Sequence, residues 1–275
     1  MIIKQPLNAV SRVISIFLLL ITFLSSKAEI VSDFTKFNRD AEEVTISRKV
    51  TEVPEFAFAG CSRLRKVIFE SGSRCRRIGA HAFYRCDNLL RVDTPLALRT
   101  IGQYAFAWCV RMEQIDLGNV NEIGPHAFAY CFSLCEANFS PLLKHIGNNA
   151  FCRCDSLTEI TLPVSLRSLE SYAFAGCSSL RRVSLPANAS MLGELIFSGC
   201  DTLEVIRIPS SSPPPFDCAS FIFDPDETDR HANCLLIVPE GTEEIYRMAP
   251  GWRLFRNICC DNPMNPLFGE SVGNN

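Results

Sequence analysis

The chain has little of what usually announces catalysis. Its 275 residues include only 4 His and 2 Trp. No His-Glu-x-x-His pair, Gly-rich phosphate loop or Ser/His/Asp order can be read along it. The expectation is therefore a protein that is not an enzyme and holds no cofactor or metal. An excess of one charge is missing too: 27 Lys+Arg stand against 30 Asp+Glu, a net charge of −3. That balance excludes the basic field that nucleic-acid binding needs. With 5 Tyr and 2 Trp against 20 Phe, the chain is short of the rings on which sugars or single strands stack. Beyond residue 28 no apolar run approaches the roughly 20 residues of a spanning helix, so no transmembrane segment is expected in the mature chain.

What is present begins with an export signal. Lys4 and Arg12 precede an apolar stretch from Val13 to Leu24, and Ser26-Lys27-Ala28 places small residues where a signal peptidase cuts. Residues 1–28 are read as a signal peptide, and the mature protein is expected at the cell surface, in a periplasm or secreted.

A repeat dominates the remainder. Phe58, Phe83, Phe106, Phe128, Phe151, Phe174 and Phe197 recur every 22 to 25 residues. Each is followed three residues later by a cysteine: Cys61, Cys86, Cys109, Cys131, Cys154, Cys177 and Cys200. Leu or Met follows three further on, as at Leu64 and Met112, and an aliphatic residue stands five before each Phe, from Val53 to Leu192. The stretch Leu157-Thr-Glu-Ile160-Thr-Leu162 alternates like a short half-buried strand stopped by Pro163. A second extended piece such as Leu143-Lys-His-Ile146 follows, then a Gly expected to supply positive φ. Ala-Phe-x-x-Cys-x-x-Leu has helical spacing and predicts one or two helical turns.

One such unit cannot bury its own apolar side, so about seven must stack, joining the Phe and Cys columns into a continuous core with capped ends. The fold class expected is a horseshoe-like, β-rich solenoid with short strands and short helical turns. The organisation expected is an N-terminal cap at 29–43, repeats at 44–210, a C-terminal repeat and cap at 211–260 and a flexible tail at 261–275. The column cysteines read as free buried thiols. Cys218 and Cys234 are the candidate disulfide of the C-terminal cap. His81 and His126 share a repeat position with Phe56, Tyr104 and Tyr172 and read as surface packing.

The unit Ile146-Gly147, Ala150-Phe151, Cys154-Asp-Ser-Leu157, Ile160-Thr-Leu162-Pro163 resembles the BspA-like class of leucine-rich repeats. The stretch from Leu236 to Tyr246, followed by Gly251-Trp252, resembles the terminal segment of bacterial members, particularly from Bacteroidetes. The resemblance implies an exported or surface solenoid that binds other macromolecules, with adhesion to host matrix proteins as the associated role.

A solenoid offers its partner an extended concave strand face. The residues flanking each strand centre are the candidate binding face: Lys66, Arg91, Asp93, Gln114, Asp116, Glu136, Asn138, Glu159, Thr161, Arg182, Ser184 and Arg207. The expected function is non-catalytic protein binding, adhesin-like, with a host matrix or cell-surface protein as partner. A structural spacer or envelope-assembly role and an enzyme accessory are the alternatives.

Overall fold

A computed structural model describes residues 29–188, 191–214, 222–223 and 233–261. The expected signal peptide lies outside the described residues, as do Cys218, His231 and the tail beyond Asp261. Strand β1 (Glu29–Val31) leads into the repeats. Each coil then gives a longer strand and a two-residue strand: β2 (Glu43–Ile46) and β3 (Glu52–Val53), β4 (Lys66–Phe69) and β5 (Arg77–Ile78), β6 (Arg91–Asp93) and β7 (Thr100–Ile101). The alternation continues through β8 (Gln114–Asp116), β9 (Glu122–Ile123), β10 (Glu136–Asn138), β11 (His145–Ile146), β12 (Glu159–Thr161), β13 (Ser168–Leu169), β14 (Arg182–Ser184) and β15 (Met191–Leu192). Three strands remain, β16 (Val205–Arg207), β17 (Leu235–Val238) and β18 (Asn257–Cys260); helix α1 (Glu243–Met248) and a 3-10 turn (Trp252–Leu254) lie between the last two.

All strand pairings are parallel between neighbouring coils, which makes the chain the stacked, β-rich solenoid that its periodicity predicts. The two-residue strands form one unbroken sheet, β3-β5-β7-β9-β11-β13-β15. The longer strands form three: β1-β2-β4-β6, then β8-β10, then β12-β14-β16-β17-β18.

The expected helical turns are replaced by a third hydrogen-bonded side. Around Phe58, the N–H groups of Phe56, Phe58 and Gly60 donate to Ala80, Ala82 and Tyr84 of the next coil at 3.1, 2.7 and 2.8 Å. The intervening Ala57, Ala59 and Cys61 donate back three residues, at 3.0–3.3 Å. The reason is backbone hand. Phe56 and Gly60 have φ of +57° and +73°, so a right-handed helix cannot propagate through them. The same position two before each Phe is left-handed at His81, Tyr104, His126, Asn149, Tyr172 and Leu195. The glycine that follows the short strand serves a different need from the expected one. At Gly79, Gly102, Gly124 and Gly147 an added Cβ would sit 2.7–2.8 Å from backbone atoms of the preceding coil. Gly is required there for close approach, not for positive φ.

Inside, the seven Phe and seven Cys of the columns are all buried. Successive rings lie nearly parallel, 5.0–5.2 Å apart from Phe58 to Phe174 and 6.1 Å between Phe174 and Phe197. Each buried ring contributes about 1.5–3 kcal/mol through burial. Phe34 and Phe37 cover the outer face of Phe58, with ring centroids 5.6 and 4.7 Å away. At the other end Tyr246 and Trp252 are buried, donating to Ser210 O at 2.9 Å and Pro214 O at 3.0 Å.

The close approach makes a prediction. Gly124→Ala drives a Cβ into Gln103 N at 2.8 Å and is expected to cost about 3 kcal/mol. Gly60→Ala meets nothing within 4 Å but keeps a positive φ, and is expected to cost about 1 kcal/mol. Denaturant unfolding of the two variants checks the order; a Gly124→Ala as mild as Gly60→Ala would refute the packing argument.

Candidate functional site

Alternation along each longer strand points its central residue inward and its two neighbours outward. Val67, Val92, Ile115, Ile160, Val183 and Ile206 are accordingly buried. The parallel register lines the outward neighbours into two ribbons. In one, Glu43, Lys66 and Arg91 are in register, then Gln114 and Glu136, then Glu159, Arg182 and Val205. In the other run Thr45, Ile68 and Asp93, then Asp116 and Asn138, then Thr161, Ser184 and Arg207. Every candidate face residue therefore lies on this one sheet side.

The two ends of the face differ. Toward the C-terminus, Ser184, Val205 and Ile237 are buried although they belong to the outward ribbons. Arg207 is tied to Asp261 by Nε at 2.6 Å, and Arg182 grips Glu159 through two nitrogens at 2.9 and 2.7 Å. The stretch from β2 to β12 is open. Three hollows of about 490, 480 and 430 Å³ follow one another along it, the first lined by Arg65, Lys66 and Arg91, the second by Asp93, Asp116 and Asn138, the third by Glu136 and Glu159. Glu113, Asp116 and Glu136 make no ion pair among the described residues, whereas Asp93 is paired with Arg91. The centre of the face is therefore negative. Sequence reasoning missed Glu113, Cys135, Thr158 and Phe139, which line the same hollows. The signal for the last hollow is Ala137, which stands where other repeats carry Val, Ile or Leu.

The cysteine column has a use that spacing alone does not reveal. Each thiol from the second repeat onward donates to the carbonyl of the Phe one coil back. Cys86 Sγ reaches Phe58 O at 3.1 Å, Cys109 reaches Phe83 O at 3.2 Å, and Cys131 reaches Phe106 O at 3.2 Å. Cys154, Cys177 and Cys200 repeat the contact at 3.2–3.4 Å. Cysteine is the residue small and apolar enough to fill the column while still offering a weak donor. Burial pushes the Cys131 thiol to about 12 and those of Cys109, Cys154 and Cys177 well above the usual range. Cys234 is likewise a free, buried thiol pushed to about 12 by burial; its candidate partner Cys218 lies outside the described residues. Cys135 is exposed.

On the turn side Phe56, His81, Tyr104 and His126 form an external stack with centroids 4.6, 5.0 and 4.4 Å apart. That is ring packing, with desolvation holding His126 below its ordinary pKa. Among the described residues no group of three or more His, Cys, Asp or Glu is placed to hold a metal ion, and no helix is long and apolar enough to cross a membrane.

Comparison with known proteins agrees with this geometry. The BspA type leucine rich repeat region matches residues 29–158 and 99–214, in six copies. Among solved structures, the chain is similar to a leucine rich repeat protein of T. pallidum at 34% identity and TM-score 0.55, over 58% of this chain and 77% of that one. A leucine-rich repeat protein from Bacteroides ovatus is 22% identical over 62% of this chain and 61% of that one, with TM-score 0.36. A leucine rich cell surface protein from Faecalibacterium prausnitzii is 18% identical over 80% and 79%, with TM-score 0.38. No curated protein matches the chain.

The thiols carry a pH prediction. In the unfolded chain they titrate near 8.5, while in the fold Cys131 holds its proton to about 12. The unfolded state thus loses protons first as pH rises. The column's contribution is complete below about pH 8.5 and is lost as pH climbs toward about 12. Thermal midpoints measured against pH should be level up to about 8.5 and fall above it, with a shallower fall in Cys131→Ala. An unchanged slope in that variant would exclude the Cys131 thiol as a contributor. In native protein, thiol labelling should reach Cys135 first and the column only on unfolding.

Proposed function

Starting from the fact that this chain belongs to the BspA-type leucine-rich-repeat family, we propose that it is an exported, non-catalytic module that binds a protein partner on its longer-strand face. The observation that carries this reading is the open stretch from β2 to β12, where three adjacent hollows lie beside Glu113, Asp116 and Glu136, carboxylates with no ion-pair partner among the described residues. A buried scaffold surrounded by a variable outward sheet separates stability from recognition, which suits an interaction module. Residues Lys66, Arg91, Asp93, Gln114, Asp116, Glu136, Asn138, Glu159 and Thr161 supply the open part of the surface. Ser184 and Arg207 sit in the covered part, and Arg182 acts by holding Glu159. A host matrix or cell-surface protein is the partner class this reading names. Export rests on the apolar stretch at 13–24 and the small residues before Glu29.

The test uses Gln114 and Thr161, both exposed, at opposite ends of the central hollows. Gln114→Arg combined with Thr161→Arg should leave the thermal midpoint in place. It should weaken binding to immobilised matrix proteins by about tenfold, the equivalent of roughly 1.4 kcal/mol. Arg85→Glu, on the exposed turn edge, should bind as the parent does. Equal binding by all three proteins would point to a spacer role instead. Protease treatment of intact cells should remove the protein if the face is presented outside.

A further inference from the structure

Along one margin of the longer-strand sheet, a backbone bond links each coil to the one before. Arg65 N donates to Glu42 O at 2.7 Å, Leu90 N to Arg65 O at 2.9 Å, Glu113 N to Leu90 O at 3.4 Å and Cys135 N to Glu113 O at 2.9 Å. The row resumes with Arg181 N to Thr158 O at 2.8 Å and Glu204 N to Arg181 O at 3.0 Å. Among the described residues one member is missing, Thr158 N to Cys135 O. No ladder joins β10 to β12; none joins β6 to β8 either, but there Glu113 N still reaches Leu90 O.

The coils have not separated as a whole. Phe128, Phe151 and Phe174 keep their 5.0 and 5.2 Å spacing, and β11 pairs with both β9 and β13. Only this side opens, and the sequence supplies the cause. Ala137 stands where the other coils carry Val, Ile or Leu, and it is half-buried where those are buried. Phe139, at the place that Phe69 holds in β4 and Leu117 and Leu162 hold in the adjoining coils, sets its ring edge-on to both Phe151 and Phe174, at 5.4 and 6.3 Å. The missing branched side chain of Ala137 is what sets β10 apart, since Phe69 holds the place of Phe139 in β4 and that strand still pairs with both neighbours.

The opening is the hollow of about 430 Å³ between residues 135–139 and Thr158, Glu159 and Thr161. Its wall is apolar at Ala137 and Phe139. One carboxylate stands on each lip, and each has one oxygen engaged: Glu136 Oε1 by Asn138 Nδ2 at 2.8 Å, Glu159 Oε2 by Arg182 at 2.7 Å. The other oxygen of each has no hydrogen-bond partner among the described residues. Thr158 N–H and Cys135 O add a main-chain donor and acceptor that do not bond to each other.

We propose that the gap between β10 and β12 is a recognition cleft for a lysine or arginine side chain of the partner protein, its stem against Ala137 and Phe139 and its cationic head between Glu136 and Glu159. This inference rests on the reading of the strand face as a protein-binding surface. An apolar side chain would strip water from the two carboxylates without replacing it, and an acidic one would be repelled. A long basic side chain covers apolar wall with its methylenes while its head satisfies both open oxygens.

The test is a titration of the chain with acetyl-Gly-Lys-Gly-amide, acetyl-Gly-Arg-Gly-amide and acetyl-Gly-Glu-Gly-amide, followed by amide chemical shifts. The basic peptides are expected to give saturable shifts confined to residues 135–139 and 158–161, and the acidic peptide none. Ala137→Ile fills the gap without changing any charge and should weaken binding roughly tenfold, as should Glu136→Gln, which removes one charge-assisted contact. Ala137→Val is the milder filling should Ile overpack, and thermal midpoints verify that each variant folds. Unaltered binding in the filled variants, shifts spread evenly over the acidic face, or no response to the basic peptides would each overturn the proposal. Shifts centred on Asp93 and Asp116 would overturn the cleft and leave the binding face standing, whereas loss of the face reading would appear as matrix binding indifferent to Gln114→Arg with Thr161→Arg.

Discussion

The fold depends on one repeated distance: every coil must rise by the same step, on every side, as the coil before it. Backbone hydrogen bonds set that step near 4.8 Å, and the Phe rings accept it at 5.0–5.2 Å as a nearly parallel stack. Everything that recurs strictly in the sequence serves this pitch. Glycine after the short strand lets two backbones come within Cβ distance of each other. Left-handed residues flanking each Phe free their N–H groups to bond the next coil instead of a helix. The thiol completes the arrangement, since each Phe carbonyl from Phe58 to Phe174 accepts both the N–H of its own Cys and the S–H from the following coil.

Much of this was legible because a strict pitch writes itself into sequence as a strict period. The Phe, Cys and Leu columns, the two strands per coil and the direction of their side chains follow from spacing and alternation. The turn conformation did not, because Ala-Phe-x-x-Cys-x-x-Leu satisfies a three-residue spacing whether the chain is helical or runs through successive tight turns. Only the hand of Phe56 or Tyr104 decides between them, and bulky side chains give no warning of a positive φ.

The candidate face was legible as a position and illegible as a surface. Register could be predicted from one repeat to the next, so the ribbons could be named. Cover could not: Arg207 is held by Asp261, a residue 54 positions away in the C-terminal segment, and no periodic argument reaches that far. The break between β10 and β12 was hidden for a related reason. Ala137 by itself is an ordinary apolar residue, and its effect exists only against the coil that fails to meet it. Recognition on this scaffold is accordingly expected where the repeat is least faithful to itself.

The direction of the thiol bonds bears on how such a chain is made. Each sulfur reaches back to a carbonyl of the preceding coil, the part of the chain that leaves the ribosome or the export channel first. As a new coil settles on the growing stack, its cysteine finds its acceptor already in place and loses its access to oxidants. The column thiols are therefore shielded one coil at a time as the stack grows, provided that assembly proceeds in the order of emergence, whereas Cys135 stays exposed in the finished fold.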